Sequence, residues 1–302
     1  MITIPSYLKQ GDTIGILCPS GFMSYEKAQT AITVLQEWGY NIKTGSTLGS
    51  QLNYFSGTDE QRLNDLQQMM DDDSIKAIFC ARGGYGLSRI IDKLKFKKFK
   101  KNPKWIIGFS DVTILHIHLY SNYKIASLHA PMASAFSNDG YKNSFVQSLQ
   151  RALSGQKINY QCAPHPFNRE GSARGRLVGG NLSLLAHLAG TSSDIKTKGK
   201  ILFIEDVGEY IYNIDRMLYQ LKRSGKFDKI AGLIVGGFTD MKDTTTPFGQ
   251  TAYEVIRDVV QEYDYPTCFN FPVSHGLENY ALKIGVNYDF AVGNKLITLQ
   301  EL

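Results

Sequence analysis

Cysteine is scarce in this chain of 302 residues. The four, at positions 18, 80, 162 and 268, lie far apart, with no CxxC pair and no His/Cys cluster at metal-ligand spacing. A structural zinc does not fit, no metal is expected, and a reducing compartment does fit. Long apolar runs are also missing: residues 230–238, even with their glycines counted, fall well short of the roughly 18 residues that a membrane span needs. No membrane association is expected. The first twenty residues carry Lys9 and Asp12 and have no apolar block with a small-residue cleavage site, so the protein is read as cytoplasmic. Nucleotide signatures are absent as well. There is no GxxxxGK[ST], and the turn after the first apolar run reads Cys18-Pro19-Ser20-Gly21-Phe22 rather than GxGxxG. Nicotinamide and nucleoside-triphosphate chemistry are disfavoured, and no cofactor is expected.

What is present is an ordinary globular composition, 43% hydrophobic and 20% charged, on a length that suggests two domains at roughly 150 residues each. The formal charge of +5 is local, because residues 93–104 (KLKFKKFKKNPK) hold seven lysines and no acid. Leu94, Phe96 and Phe99 look like anchors holding a solvated connector down. Nucleic-acid binding would want exposed stacking aromatics or a recognisable module, so no nucleic-acid partner is expected.

Strand and helix patterns alternate through the first half. Strands are expected over 13–18, 41–44, 75–81, 104–108 and 125–128, and helices over 25–38, 59–70 with Thr58 as N-cap, and 111–120. That alternation implies an α/β fold whose N-terminal domain (1–154) is a doubly wound parallel sheet of flavodoxin-like type. Ligands on such sheets sit at the carboxyl ends of the strands, so the loops 19–23, 82–86, 109–111 and 129–132 should share one rim. A linker is expected over 155–171, then a second mixed α/β domain (172–302). Its expected elements are helices at 181–188, 211–223 and 252–263, strands at 200–206 and 230–236, and three short closing strands near Thr267, Ala281 and Leu296.

Three places on this frame can carry chemistry. Arg82-Gly83-Gly84-Tyr85-Gly86 can present backbone N–H groups to an anion, or can be a tight turn that needs small residues for packing. In Ile107-Gly108-Phe109-Ser110-Asp111-Val112-Thr113 a serine stands where a buried strand meets a helix. That position can expose a nucleophile, with the following N–H able to face an oxyanion, but a serine before a helix is more often an ordinary N-cap. Serine needs a base. His116 and His118 are two apart on a helix and face nearly opposite ways, His187 lies in an apolar helical stretch and is read as structural, and His165 sits between prolines in the expected linker. His129, at a strand end on the rim, and His275, in Pro272-Val273-Ser274-His275-Gly276, remain. An orienting carboxylate is offered by Phe203-Ile204-Glu205-Asp206-Val207-Gly208-Glu209, where period-two alternation cannot choose between Glu205 and Asp206.

Six ordered blocks carry a resemblance that spans nearly the whole chain: GDTIGILCPSG at 11–21, ARGGYG at 81–86, IGFSDVT at 107–113, LVGGNLSLL at 177–185, EDVGEYIYNIDRML at 205–218 and PVSHG at 272–276. Together they resemble the serine LD-carboxypeptidases, also called muramoyltetrapeptide carboxypeptidases. The resemblance implies a Ser-Glu-His triad at Ser110, Glu205 and His275, and backbone oxyanion donors at Gly84 and Asp111. It further implies removal of the C-terminal D-alanine from murein tetrapeptides, in peptidoglycan recycling, by a homodimer. An exopeptidase must also bind a free carboxylate, and Arg82 beside the donor loop is the candidate because its guanidinium can bind bidentately. Cousins of the family that cleave peptidyl or aminoacyl nucleotide amides as antibiotic self-immunity would share the triad. A non-catalytic two-domain ligand binder would explain the fold and the glycine loops, but not why serine, glutamate and histidine each occupy a loop or strand end.

Overall fold

Short segments rich in Ile, Leu and Phe form a parallel sheet at the centre of the first unit in the computed structural model, which describes residues 1–302. This unit comprises residues 1–156 and 280–283. Its elements are β1 (Thr13–Leu17), α1 (Tyr25–Glu37), β2 (Asn41–Thr44), α2 (Asp59–Asp71), β3 (Ile75–Cys80), α3 (Lys97–Lys101), β4 (Trp105–Gly108), α4 (Thr113–His118), β5 (Ser127–His129) and α5 (Ser144–Leu153). The strands stand in the order β2-β1-β3-β4-β5, all parallel, which is the flavodoxin-like order with its switch point between β1 and β3. A strand from near the chain end, Leu282–Ile284, extends this sheet beyond β5.

Burial on both faces explains why these strands read as continuous apolar runs. All four residues of β4 are buried, and side chains such as Trp105, Ile106 and Ile107 contribute about 1.5–3 kcal/mol each. The helices start where the sequence marks them. Thr58 accepts from the Gln61 N–H at 3.1 Å while the Gln61 side chain accepts from the Thr58 N–H at 2.8 Å, a reciprocal cap on α2 worth about 1 kcal/mol. In the basic run, Leu94, Phe96 and Phe99 are buried and most of the lysines are exposed, on a segment that includes α3; Lys104 is the exception, a buried cation at the start of β4. The helix expected over 111–120 is instead a 3₁₀ turn at Ser110–Val112, then α4, then a wide π turn over Leu119–Tyr123 closed by Lys124 in the left-handed conformation.

The second unit comprises residues 157–279 and 284–302. It runs β6 (Asn159–Cys162), β7 (Gly171–Asn181), α6 (Leu182–Leu188), β8 (Ile201–Val207), α7 (Ile211–Arg223), β9 (Gly232–Thr239), α8 (Ala252–Val260) and β10 (Thr267–Cys268); after β11, the strand already met at Leu282–Ile284, come β12 (Asn287–Val292) and β13 (Ile297–Glu301). Its sheet, in the order β10-β9-β8-β7-β12-β13-β6, is parallel from β10 to β7 and antiparallel beyond. Three expectations change. The stretch 155–171, expected as a linker, contains β6, an edge strand paired with β13. The three closing strands are four. The third change is that β11 joins the first sheet, so the segment expected to lie wholly in the second domain returns residues 280–283 to the first unit. The first and third differences arise from pairing between segments distant in the chain, which local composition does not encode; the additional closing strand, β12, pairs with its neighbour β13 across a short turn and with the distant β7. No helix is long and apolar enough to cross a membrane.

Candidate active site

The parallel strands of the first unit end together, and their loops do meet as one rim. The Gly21 N–H donates to Gly83 O at 2.9 Å, joining the loops after β1 and β3, and the Ala130 N–H donates to Gly108 O at 3.2 Å, joining those after β4 and β5. Ser110 stands at the end of β4, half-buried, with φ of +61°. A serine in the left-handed region is strained. Such strain is held only where surrounding structure over-determines it, as at a sharp strand-to-helix turn that projects a nucleophile. The packing here is close enough to do so: a Cβ added to Gly83 would lie 2.9 Å from Ser110 Cβ and 3.2 Å from its Oγ. The glycine loop therefore rests directly on the serine, and only a residue without a side chain permits it.

Asp111 follows, almost wholly buried. Its carboxylate accepts from the Ser20 hydroxyl at 2.5 Å and from the Leu87 N–H at 2.9 Å, tying the loop after β1 and the end of the glycine loop to the serine turn. Arg62, on α2, braces the same loops: Nη1 donates to Pro19 O at 2.8 Å and to Gly86 O at 3.0 Å, and Nη2 pairs with Asp59. Burial lowers the Arg62 pKa, while Asp59 and, more weakly, Asp111 support its charge. Neither role was read from the sequence, although a signal existed: Arg62 shares the stripe of Leu66, Met69 and Met70 at helical spacing, an unusual place for a cation. Arg82, at the start of the loop, is exposed.

The second unit carries the other two residues of the expected triad. Glu205 lies on β8 with no exposure at all, and its Oε2 is 2.6 Å from His275 Nδ1. The pairing of β8 with β9 shifts at this point: Ile204 faces Val235 but Asp206 faces Phe238, so two glycines of β9, Gly236 and Gly237, stand opposite Glu205. A bulge of this kind re-aims a side chain. The missing side chains also admit the segment that carries His275: a Cβ on Gly237 would lie 2.5 Å from Ser274 Cβ, one on Gly236 would strike Val273 O, and the Gly237 N–H donates to Val273 O at 2.9 Å. Ser274 then donates to Glu278 O at 2.9 Å and accepts from the Gly276 N–H at 3.0 Å, fixing the turn around the imidazole.

Asp206 points the other way. It accepts from Asn181 Nδ2 at 2.8 Å and from the Ser183 N–H at 2.9 Å, holding the start of α6, so of the two carboxylates that alternation left open it is Glu205 that bonds to His275. Burial, with the neighbouring Glu205 charge, pushes its pKa up to about 7. Burial pulls the His275 pKa down, but the Glu205 hydrogen bond and the charges of Glu205 and Asp206 outweigh it, and the net shift is upward.

The remaining histidines have other work. His116 is buried, bonded to Ser127 Oγ and Gly108 O at 2.8 Å each, and burial lowers its pKa to about 4. His118 packs on Phe96 and His129 beside Phe109, with ring centroids 4.9 and 5.7 Å apart. His165 sits among Phe167, Tyr253 and Phe269, part of a packed cluster rather than a linker. His187, read as structural from its apolar surroundings, lies on the exposed face of α6. No three His, Cys, Asp or Glu side chains are grouped as metal ligands.

Comparison with known proteins bears on both units. Residues 14–130 match the LD-carboxypeptidase N-terminal domain and residues 174–290 the LD-carboxypeptidase C-terminal domain. A probable murein peptide carboxypeptidase of Bacillus subtilis is 34% identical over 299 residues, covering 98% of this chain and 94% of the relative. The microcin C7 self-immunity protein of Escherichia coli is 27% identical, covering 97% of this chain and 94% of that protein. The crystal structure of muramoyltetrapeptide carboxypeptidase from Oxalobacter formigenes superposes with a TM-score of 0.87 at 26% identity, covering 96% of this chain and 98% of that one.

Proposed function

The chain belongs to the LD-carboxypeptidase family, and we propose that it removes the C-terminal D-alanine from murein tetrapeptides with Ser110 as nucleophile, His275 as base and Glu205 as its orienting carboxylate. The observation that carries the reading is the buried 2.6 Å bond between Glu205 and His275 Nδ1. With Nδ1–H donated to the carboxylate, Nε2 holds the lone pair that a general base needs.

In the proposed cycle Nε2 takes the Ser110 proton as Oγ attacks the carbonyl of the L-centre residue before D-alanine. The oxyanion is held by the N–H groups of Gly84 and Asp111, each worth on the order of 10²–10³ in rate. His275 returns the proton to the departing amine, D-alanine leaves, and water, activated by the same imidazole, releases the tripeptide from Ser110. Arg82, exposed beside the donor loop, is proposed to bind the substrate's terminal carboxylate. The reading includes a homodimer, as the family resemblance implies, and a cytosolic location, which four free cysteines, three of them buried, support through a reducing compartment.

Mass spectrometry of a defined murein tetrapeptide tests this. Loss of one D-alanine is expected, with Arg82→Ala raising KM for the free acid much more than for the C-terminal amide. Cleavage of an aminoacyl sulfamoyl adenosine in place of the tetrapeptide would move the assignment to the self-immunity branch of the family.

A further inference from the structure

The glycine loop poses a physical problem for the proposed chemistry. Its donor, Gly84, has φ of +97° and is followed two residues later by Gly86 at +152°, so the segment has little conformational preference of its own. An oxyanion donor contributes only if its N–H is fixed before the charge develops. The direction of this N–H must therefore be imposed from outside the loop.

The anchors are few and specific. Upstream, Gly83 O accepts from the Gly21 N–H at 2.9 Å. Downstream, the Leu87 N–H donates to the Asp111 carboxylate at 2.9 Å, and Gly86 O accepts from Arg62 at 3.0 Å. The same Asp111 oxygen accepts from Ser20 at 2.5 Å, and Ser20 itself is fully buried, with its carbonyl accepting from the Ser56 N–H at 3.1 Å. One carboxylate oxygen thus joins three segments: the loop after β1, the end of the glycine loop and the serine turn. A buried charge with such partners is costly to disturb, and the hydrogen bonds it accepts are about twice as strong as neutral ones.

We propose that the Asp111 carboxylate is a positioning residue: besides the donor N–H of its own backbone, it fixes through Leu87 and Ser20 the second donor, Gly84, relative to Ser110. The inference rests on the reading of Ser110 as nucleophile and adds a role for a side chain that the triad does not use. Because the tie acts on groups that bind charge only in the transition state, loosening it should lower kcat and leave ground-state binding nearly intact.

The test compares Asp111→Asn and Ser20→Ala with wild type. Asn keeps the shape but cannot accept both bonds on a charged oxygen. Its kcat for tetrapeptide should fall by roughly 10- to 100-fold, part of the value of one donor, with KM within about twofold. Ser20→Ala, which removes one bond and leaves the carboxylate, should fall by roughly 3- to 10-fold in the same pattern and serves if the Asn variant does not fold. A peptide phosphonate that mimics the tetrahedral state should lose affinity in step with kcat, while the tripeptide product should not. Unchanged kcat in the folded variants, or a rise in KM with kcat intact, overturns the proposal. If wild type releases no D-alanine, the substrate reading fails, and the tie is then read from the rate at which a fluorophosphonate modifies Ser110. A slower rate in Asp111→Asn and Ser20→Ala supports it, and an equal rate overturns it.

Discussion

In the first unit the groups proposed for chemistry are one hydroxyl and a set of backbone N–H groups, held by a φ of +61° at Ser110 and by a glycine packed against it; in the second they are a carboxylate and an imidazole, held by burial and a 2.6 Å bond. Backbone groups do not titrate, whereas the His275 imidazole does. The difference teaches where each kind of perturbation should act: pH through the second unit, and steric crowding at the donors through the first.

The largest effect that would sharpen this contrast is expected from Glu205→Gln. An amide cannot hold the imidazole in the required tautomer or stabilise its charged form, so kcat should fall by on the order of 10⁴. The sign of the pH effect follows from the upward shift of His275. A protonated imidazole cannot accept the serine proton, so activity rises as pH climbs through the raised pKa. Without the carboxylate charge the midpoint of kcat/KM against pH should move to lower pH. An unmoved midpoint would break the comparison.

Gly83→Ala should act in the opposite way. The new methyl would meet Ser110 Cβ at 2.9 Å and push the glycine loop outward. A fall in kcat of about 10² is expected, the value of one misplaced donor, with no change in the pH midpoint. A shifted midpoint would mean that the two kinds of control are not separate.

The effect expected to be smallest on turnover is one on stability. Asp206 has a folded-state pKa of about 7 against an ordinary 3.8. Between those values the folded chain binds more protons than the unfolded one, so this group makes stability fall as pH rises from about 4 to about 7, by up to roughly 4 kcal/mol. Asp206→Asn should flatten that slope in urea unfolding followed across the window. Parallel slopes for variant and wild type would place the pH sensitivity elsewhere.

Alternation made most of the first sheet legible, because its central strands are short Ile-, Leu- or Phe-rich runs and its two longest helices, α1 and α2, begin at Ser24 and Thr58 caps. It failed at β7, whose Gly-Ser-Ala-Arg-Gly-Arg opening has neither β-branched residues nor a period. It failed again at β11, whose place in the first sheet depends on a partner far away in the chain. The helix α5 was legible and went unassigned: Val146, Leu149, Ala152 and Leu153 recur at helical spacing. At the proposed site, the strand-to-helix position of Ser110 left a nucleophile and an N-cap both open, and the family resemblance singled out the nucleophile. Glu205 could not be separated from Asp206 by alternation, because the deciding feature is a bulge on the neighbouring strand, and the buried bonds of Asp111 and Arg62 join segments between 24 and 91 residues apart.

The most direct test of the account is the rate at which a fluorophosphonate probe modifies Ser110 in wild type and in His275→Ala, with the modified residue identified by peptide mass spectrometry. The account predicts modification at Ser110 in wild type and near-complete loss without the imidazole, in a variant that remains folded. Modification at another residue, or an equal rate in the folded His275→Ala protein, would contradict it.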